Sequence, residues 1–331
     1  MTSHSTGTGQ TAFDISAIYE ARGLISNHVR RTPMKQSETL TKLFGFDVYV
    51  KYEIFQKTGS FKPRGAFNKM LRLSEHERAA GVVAVSGGNH AQAVAYAAST
   101  LGIKAVVLMP ENTPNVYLDA TRGYGAEVDL QPSIADAFAK IEHYTNDGMT
   151  FVHPFDDPLV IAGQGTVGLE IMEDLPETTD VIASIGGGGM ACGVAAAVKG
   201  VEPSARIWGV ETEGADAMAQ ALALGRPVDL PAITSIAKTL GAPSVSAFTL
   251  ELAERLLENV TVVSDVEAVK AMAFILERLK VITEPAAACT LSAAHRLREN
   301  FGPTTRLVLV FCGGNAGPGD LCGYLERFGA A

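Results

Sequence analysis

Cysteine is scarce and scattered: four in 331 residues, at Cys192, Cys289, Cys312 and Cys322, with no CxxC pair. That excludes a disulfide framework and a zinc-ribbon site and implies a reduced, cytoplasmic chain. Charge is sparse too, at 19% of residues, and the balance is acidic, with a net −9. Nucleic acid and anionic membranes need clustered Lys and Arg, so neither is an expected partner. No apolar run approaches the ~20 residues that span a bilayer. The opening MTSHSTGTGQT has no apolar signal-peptide core, and residues 1–12 read as a disordered tail. Fixed-period repeats and long low-complexity linkers are lacking as well.

What the chain does have is apolar content, 47%, enough to bury a core over about two domains. From Gly81 onward, β-branched runs alternate with helical patterns: GVVAVSGG then HAQAVAYAASTLG, IKAVVLMP then PNVYLDATRGYGA, AEVDLQ then SIADAFAKIEHYTNDG. Gly102 closes the first helix, and Ser133 is placed to cap the third as one continuous helix. A second series follows, with a helix over 158–175, the strand DVIASI, the helix MACGVAAAVKG, the strand ARIWGVET and, late in the chain, TRLVLVFCGG. Continuous Val/Ile/Leu strands between helices predict parallel sheets covered on both faces. The expected fold class is α/β, with two open parallel-sheet, three-layer lobes. Residues 13–70 and 156–331 form the larger and 71–155 the smaller. Ligands in such sheets bind at the carboxyl ends of the strands.

Three glycine turns fall at strand ends: Ser86-Gly87-Gly88-Asn89-His90, Gly186-Gly187-Gly188-Gly189, and Cys312-Gly313-Gly314-Asn315. The tetraglycine run opens a helix, so its free N–H groups and the positive helix end suit a phosphate. The plainer reading is a turn that lets helix and sheet approach closely. Each glycine costs about 1 kcal/mol of ordering relative to alanine, which favours the phosphate. The run is neither GxxxxGK[ST] nor GxGxxG, so nucleotide readings lose ground.

QKTGSFKPRGAFNK, residues 56–69, carries three lysines. Lys57 and Lys69 read as solvated. Lys62 precedes Pro63, which suits the first turn of a helix, and so sits at a positive helix end beside Phe61. Both surroundings lower its pKa and leave a neutral amine fit for nucleophilic or Schiff-base chemistry. A low-pKa lysine, a phosphate cup and glycine turns that leave room for a flat ring together fit pyridoxal 5′-phosphate.

In chain order, TGSFKPRGA, SGGNHAQA, GGGGM, EPAAA and CGGN resemble the tryptophan-synthase-β superfamily of pyridoxal-phosphate enzymes (fold type II). The resemblance is to its branch of threonine/serine ammonia-lyases (dehydratases) and serine racemases. It implies that Lys62 carries the cofactor as a Schiff base and removes the Cα proton, that Phe61 packs by the ring, and that Asn89 contacts the ring 3-hydroxyl. It implies that Gly186, Gly187, Gly188, Gly189 and Met190 hold the phosphate, that Cys312 faces the ring nitrogen and that Glu284 lies near the ring. Ser86, Gly87, Gly88, Asn89 and His90 would bind the substrate carboxylate through backbone N–H groups. The implied reaction turns an L-β-hydroxy amino acid into a 2-oxo acid and ammonia by α,β-elimination, in a homodimer. A neutral Cys312 thiol cannot keep the ring nitrogen protonated, which suits elimination over transamination. Its plainer reading is a buried core cysteine.

Departures from the family pattern sharpen these expectations. Gly87 stands where serine racemases carry a second Ser, so the opposite substrate face lacks an acid/base and racemisation is not expected. Glu211 and the Ala215 carbonyl match the branch's metal site, for Mg2+ or a monovalent cation. Ala217 replaces its second carboxylate, leaving Asp216 or Glu213 as substitutes and a solvated strand end as the plainer reading. In SIAKTL, residues 235–240, Lys238 and Thr239 replace the usual Asp and Gly. Lys238 or Thr239 is expected to meet the substrate's β-substituent, favouring a polar or acidic one, against the plainer exposed lysine. Tyr117 stands where the family often has Lys. The chain ends soon after CGGN, so no end-product regulatory domain is expected. Rival readings are a 3-hydroxyaspartate or phenylserine dehydratase, a β-replacement enzyme, a serine racemase, a non-catalytic phosphometabolite-binding protein and, more weakly, a nicotinamide oxidoreductase.

Overall fold

The computed structural model describes residues 13–328, and the tail expected over residues 1–12 lies outside them. Its strands, in chain order, are β1 (Met34–Gln36), β2 (Asp47–Tyr52), β3 (Val82–Val85), β4 (Ala105–Pro110), β5 (Glu127–Gln131), β6 (Thr150–Phe151), β7 (Asp180–Ser184), β8 (Arg206–Thr212), β9 (Asn259–Val263) and β10 (Arg306–Phe311). One sheet has the order β1-β2-β10-β7-β8-β9 and the other β5-β4-β3-β6. Every pairing is parallel except β1 with β2. Each residue of β3, β4 and β7 is buried, so both faces of these Val/Ile/Ala runs are covered, as a parallel sheet requires. The antiparallel β1 edge precedes the alternating pattern and was not visible in it.

Local signals place most helices. Asp157 Oδ1 accepts the Leu159 N–H at 2.8 Å and Pro158 opens the helix Pro158–Asp174. Gly102 caps Asn89–Leu101 at φ +67, a left-handed position that glycine takes without strain. The single helix expected after Ser133 is instead two, Ile134–Ala139 and Ile141–Asn146. At the break, Lys140 Nζ meets Asp129 of β5 at 2.8 Å, a tertiary contact that helical periodicity does not encode. Among the described residues, no helix is long and apolar enough to cross a membrane.

A buried ionic group ties β2 to the helices Pro63–Met70 and Pro158–Asp174. Arg64 pairs with Glu53 at 2.8 Å and Glu170 at 2.7 Å, and Lys51 pairs with Glu170 at 2.6 Å. Arg64, Lys51 and Glu53 are wholly buried. Two cations and two carboxylates cancel, which makes such a group tolerable in a core.

Candidate active site

Residues far apart in sequence meet because 59–61 pairs with 312–314. Phe61 N–H donates to the Cys312 carbonyl at 3.1 Å, Gly314 N–H donates to the Gly59 carbonyl at 2.9 Å, and Ser60 lies opposite Gly313. The reversal before this pairing uses Thr58 at φ 61 and Gly59 at φ 71, the first an unusual conformation for a β-branched residue. A Cβ on Gly59 would lie 2.4 Å from Asn315 Oδ1, so glycine is required for the approach. Lys62 is thereby set at the start of the helix Pro63–Met70, on the Cys312 side of the cleft. Its Nζ donates to the Pro154 carbonyl at 2.7 Å and lies 5.2 Å from the Phe61 ring centroid. Burial draws its pKa down to about 8, whereas burial and then Glu284 push the Cys312 thiol well above its ordinary value. An amine that gives up its proton far more readily than an ordinary lysine thus shares the cleft with a protonated thiol.

The other two lysines of this segment are occupied rather than solvated. Lys57 Nζ lies 5.4 Å from the Tyr96 ring centroid, and Lys69 pairs with Asp157 at 2.8 Å.

The loop after β7 exposes a run of free amides. Among the described residues, the N–H groups of Gly186, Gly187, Gly188, Gly189 and Met190 donate to no protein acceptor, and Gly189 opens the helix Gly189–Val201. Close packing constrains the same glycines. A Cβ on Gly187 would lie 2.1 Å from the Phe155 ring, one on Gly186 3.1 Å from the Leu240 backbone, and one on Gly189 3.0 Å from the Phe155 backbone. Gly188 has φ +94. The anion-cup and close-packing readings hold together: tight packing demands glycine, and the loop so formed turns its amides free. Phe155 is positioned by His153, whose Nδ1 accepts the N–H groups of Phe155 at 3.2 Å and Asp156 at 2.7 Å. Burial holds His153 neutral, near 4. The pattern TFVHPF, residues 150–155, reads as a strand, but β6 ends at Phe151 and 153–156 is a turn.

The turn after β3 offers a second set of amides. Gly88 N–H is spent on Ser86 Oγ at 3.1 Å, leaving Gly87, Asn89 and His90 with N–H groups that no described residue accepts. His90 Nε2 is bonded to the Val152 carbonyl at 2.8 Å, and burial drives the ring down to about 3, so it stays neutral. A Cβ on Gly87 would lie 2.9 Å from Thr113 Oγ1, so a serine there is crowded as well as absent. Asn89 Nδ2 donates to both Glu284 oxygens, at 2.9 and 3.0 Å, and Asn89 Oδ1 accepts from Asn315 Nδ2 at 2.7 Å. Asn315 N–H donates to Glu284 Oε1 at 2.9 Å, and its carbonyl accepts the Tyr117 hydroxyl at 2.8 Å. Asn315 is the hub of the network; in the sequence it was visible only as the last letter of CGGN.

Two expectations are corrected. Lys238 is exposed, and its Nζ reaches only the Ile233 carbonyl at 3.5 Å. Thr239 instead points inward and donates to Glu284 Oε2 at 2.7 Å. Successive residues of the 3-10 turn Lys238–Leu240 face different sides. Glu211 is wholly buried, not a solvated strand end. Its two oxygens accept the N–H groups of Met218 at 3.0 Å and Ala219 at 2.8 Å, in the first turn of Ala217–Leu224. Ala215 follows it as a buried turn residue. Among the described residues, no cluster of three His, Cys, Asp or Glu side chains is arranged for a metal ion. Glu211 with Ala215 therefore fits a helix cap better than a cation site. Glu211→Ala is expected to cost about 1 kcal/mol of stability, while a chelator leaves the wild-type unfolding midpoint unchanged. A chelator-dependent midpoint overturns the assignment.

Comparison with known proteins agrees with this geometry. The model of a family described as pyridoxal-phosphate dependent enzyme matches residues 25–313. The chain is 41% identical over 302 residues to an L-threonine ammonia-lyase of Thermotoga maritima, covering 90% of this chain and 74% of that protein. It is 37% identical over 318 residues to a serine racemase of Oryza sativa subsp. indica, covering 94% and 93%. Among solved structures, maize serine racemase superposes with a TM-score of 0.88 at 35% identity, covering 96% of this chain and 98% of that one. The processed form of threonine deaminase isoform 2 from Solanum lycopersicum superposes with a TM-score of 0.91 at 30% identity, covering 99% and 91%.

Proposed function

The chain belongs to the family of pyridoxal-phosphate dependent enzymes, and from that premise we propose that it is an ammonia-lyase (dehydratase). Its substrate is an L-β-hydroxy amino acid of the threonine or serine type, converted to a 2-oxo acid and ammonia by α,β-elimination. The L-threonine ammonia-lyase relative is 41% identical and the serine racemase 37%, so similarity favours the lyase by a small margin. The observation that carries the choice is Gly87, which brings no side-chain hydroxyl of its own at the place where serine racemases carry a second Ser, while Lys62 supplies the amine.

The side chains fit the cofactor: a lysine amine with depressed pKa, a neutral thiol, and a row of unspent amides. When bound, pyridoxal phosphate supplies an electron sink for the charge left as the Cα proton departs. Lys62 would hold it. Phe61 would pack beside it, and Asn89, Glu284 and Cys312 would contact its ring. Gly186 to Gly189 and Met190 would take its phosphate on their N–H groups. The free N–H groups of Gly87, Asn89 and His90, with Ser86 and Gly88 shaping the turn, would orient the substrate carboxylate. Lys62 Nζ would take the Cα proton, and the β-hydroxyl would leave as water by gaining one proton, so that the proton lost from Cα balances the one carried off in the water. The remaining enamine tautomerises, and water hydrolyses it to the 2-oxo acid and ammonia. Glu211 and Ala215 take no part in these steps.

Because Lys238 faces solvent, no cation of the Ser235–Leu240 segment argues for an acidic β-substituent. A panel of L-threonine, L-serine, 3-hydroxyaspartate and phenylserine, read by 2-oxo acid release, tests the reading. Threonine and serine are expected to lead. Accumulation of D-serine without 2-oxo acid overturns elimination, and a colourless protein that binds no cofactor overturns the enzyme reading. We further propose a homodimer, which the family resemblance supports and which a single-chain mass in solution overturns. A cytoplasmic location is supported by the free cysteines.

A further inference from the structure

We propose that Thr239 is a positioning residue for the elimination: its hydroxyl fixes the Glu284 carboxylate, and through it the Asn89 side chain. The inference rests on the ammonia-lyase reading. Glu284 stands at the start of the helix Pro285–Arg296 but makes no side-chain cap there; its carboxylate turns into the cleft instead. Three donors converge on it: the Thr239 hydroxyl at 2.7 Å, the Asn89 amide at 2.9 and 3.0 Å, and the Asn315 N–H at 2.9 Å. Asn89 belongs to the substrate turn, and Thr239 borders it. A Cβ on Gly88 would lie 3.3 Å from Thr239 Cγ2. The glycine usual at this place in the resembled family has no hydroxyl to give.

No cation offsets the carboxylate among the described residues. The ionisable groups that feel its charge are acids, namely Cys312 at the end of β10, Tyr117 of Asn115–Gly123 and Tyr324 of Pro318–Phe328; each is pushed upward first by burial and then in part by Glu284, with Asp320 ahead of Glu284 at Tyr324. Burial raises Glu284 itself, and the hydrogen bonds oppose it, that of Thr239 most strongly. Protonation at Oε1 would set a donor against the Asn89 and Asn315 N–H groups, which cannot accept; at Oε2 the Thr239 oxygen could accept, but its own O–H would then turn away from Glu284. Either way one of the donors that hold the carboxylate is lost. Removing the Thr239 hydroxyl therefore moves this failure to higher pH.

The test compares wild type, Thr239→Val and Thr239→Ser as holoenzymes. Valine keeps the shape and loses the hydroxyl. Its acid limb of kcat/KM is expected to move up by about one pH unit, which is about tenfold lower kcat/KM on the limb itself. The pH dependence of the bound cofactor's visible band should shift the same way, and serine should restore both. An unchanged valine variant overturns the proposal. A serine variant that matches valine also overturns it, in favour of methyl packing on Gly88. Infrared titration of the Glu284 carboxyl, assigned by difference from Glu284→Gln, reads the same shift without turnover. Wild type inactive on every β-hydroxy amino acid overturns the ammonia-lyase reading alone, since the infrared comparison still decides for Thr239.

Discussion

Lys62→Ala is expected to lower kcat/KM for the preferred β-hydroxy amino acid by about 10⁴-fold, the upper range for loss of a positioned base. The same variant loses the amine proposed to carry the cofactor. Borohydride treatment of wild type should fix the cofactor to Lys62, seen by peptide mapping, and should fix none in the variant. Lys57 and Lys69 lie within a few residues and serve as internal controls. One sits over the Tyr96 ring and the other pairs with Asp157, so neither amine is free in the cleft. A label on either, or near-normal turnover by Lys62→Ala, sinks the assignment.

Arg64→Met is expected to destabilise the fold by about 3–5 kcal/mol, because it strands two buried carboxylates with only Lys51 to answer them. Arg64 binds Glu53 through Nε and Nη2 at 2.8 Å each, and reaches Glu170 at 2.7 and 2.9 Å. The loss should be read from the urea midpoint of the holoenzyme, and the double variant Arg64→Met with Glu53→Gln should recover part of it. A midpoint within error of wild type refutes the assignment. The same group sets an acid limit. Burial alone would raise Glu170, but Arg64 and then Lys51 bring it below its ordinary value. A carboxylate with depressed folded pKa contributes stability that is present above its unfolded value of about 4.3 and lost as pH falls through the folded one. Wild-type stability should therefore decline below about pH 4. Because Arg64 stands two residues after Lys62, the group also anchors the helix from which the amine projects.

Much of the site was legible because its requirements are local. Pro63 announces a helix start, and so singles out Lys62 among three lysines. Gly87 and the tetraglycine run mark places where a side chain would collide, and a collision is a property of one position. The alternating buried runs gave the sheets for the same reason, since each strand's burial is written in its own residues.

Other features were illegible because they depend on partners distant in the chain. Lys238 and Thr239 are neighbours with equal claims on paper, and only the phase of a short 3-10 turn sends one to solvent and the other to Glu284. Glu211 looked like half of a cation site until the helix Ala217–Leu224 placed its N–H groups on both oxygens. Tyr117 had no assigned consequence until Asn315 came within reach.

The sequence by itself determined the α/β architecture and which of three lysines heads a helix, because each rests on backbone conformation or burial encoded over a few residues, and five ordered motifs carried the resemblance to the family and its cofactor class. Only the tertiary structure decided which polar groups share a hydrogen bond across the cleft. Glu284, Asn89, Asn315 and Thr239 come from four separate segments, and a hydrogen bond exists only where folding brings donor and acceptor to about 3 Å.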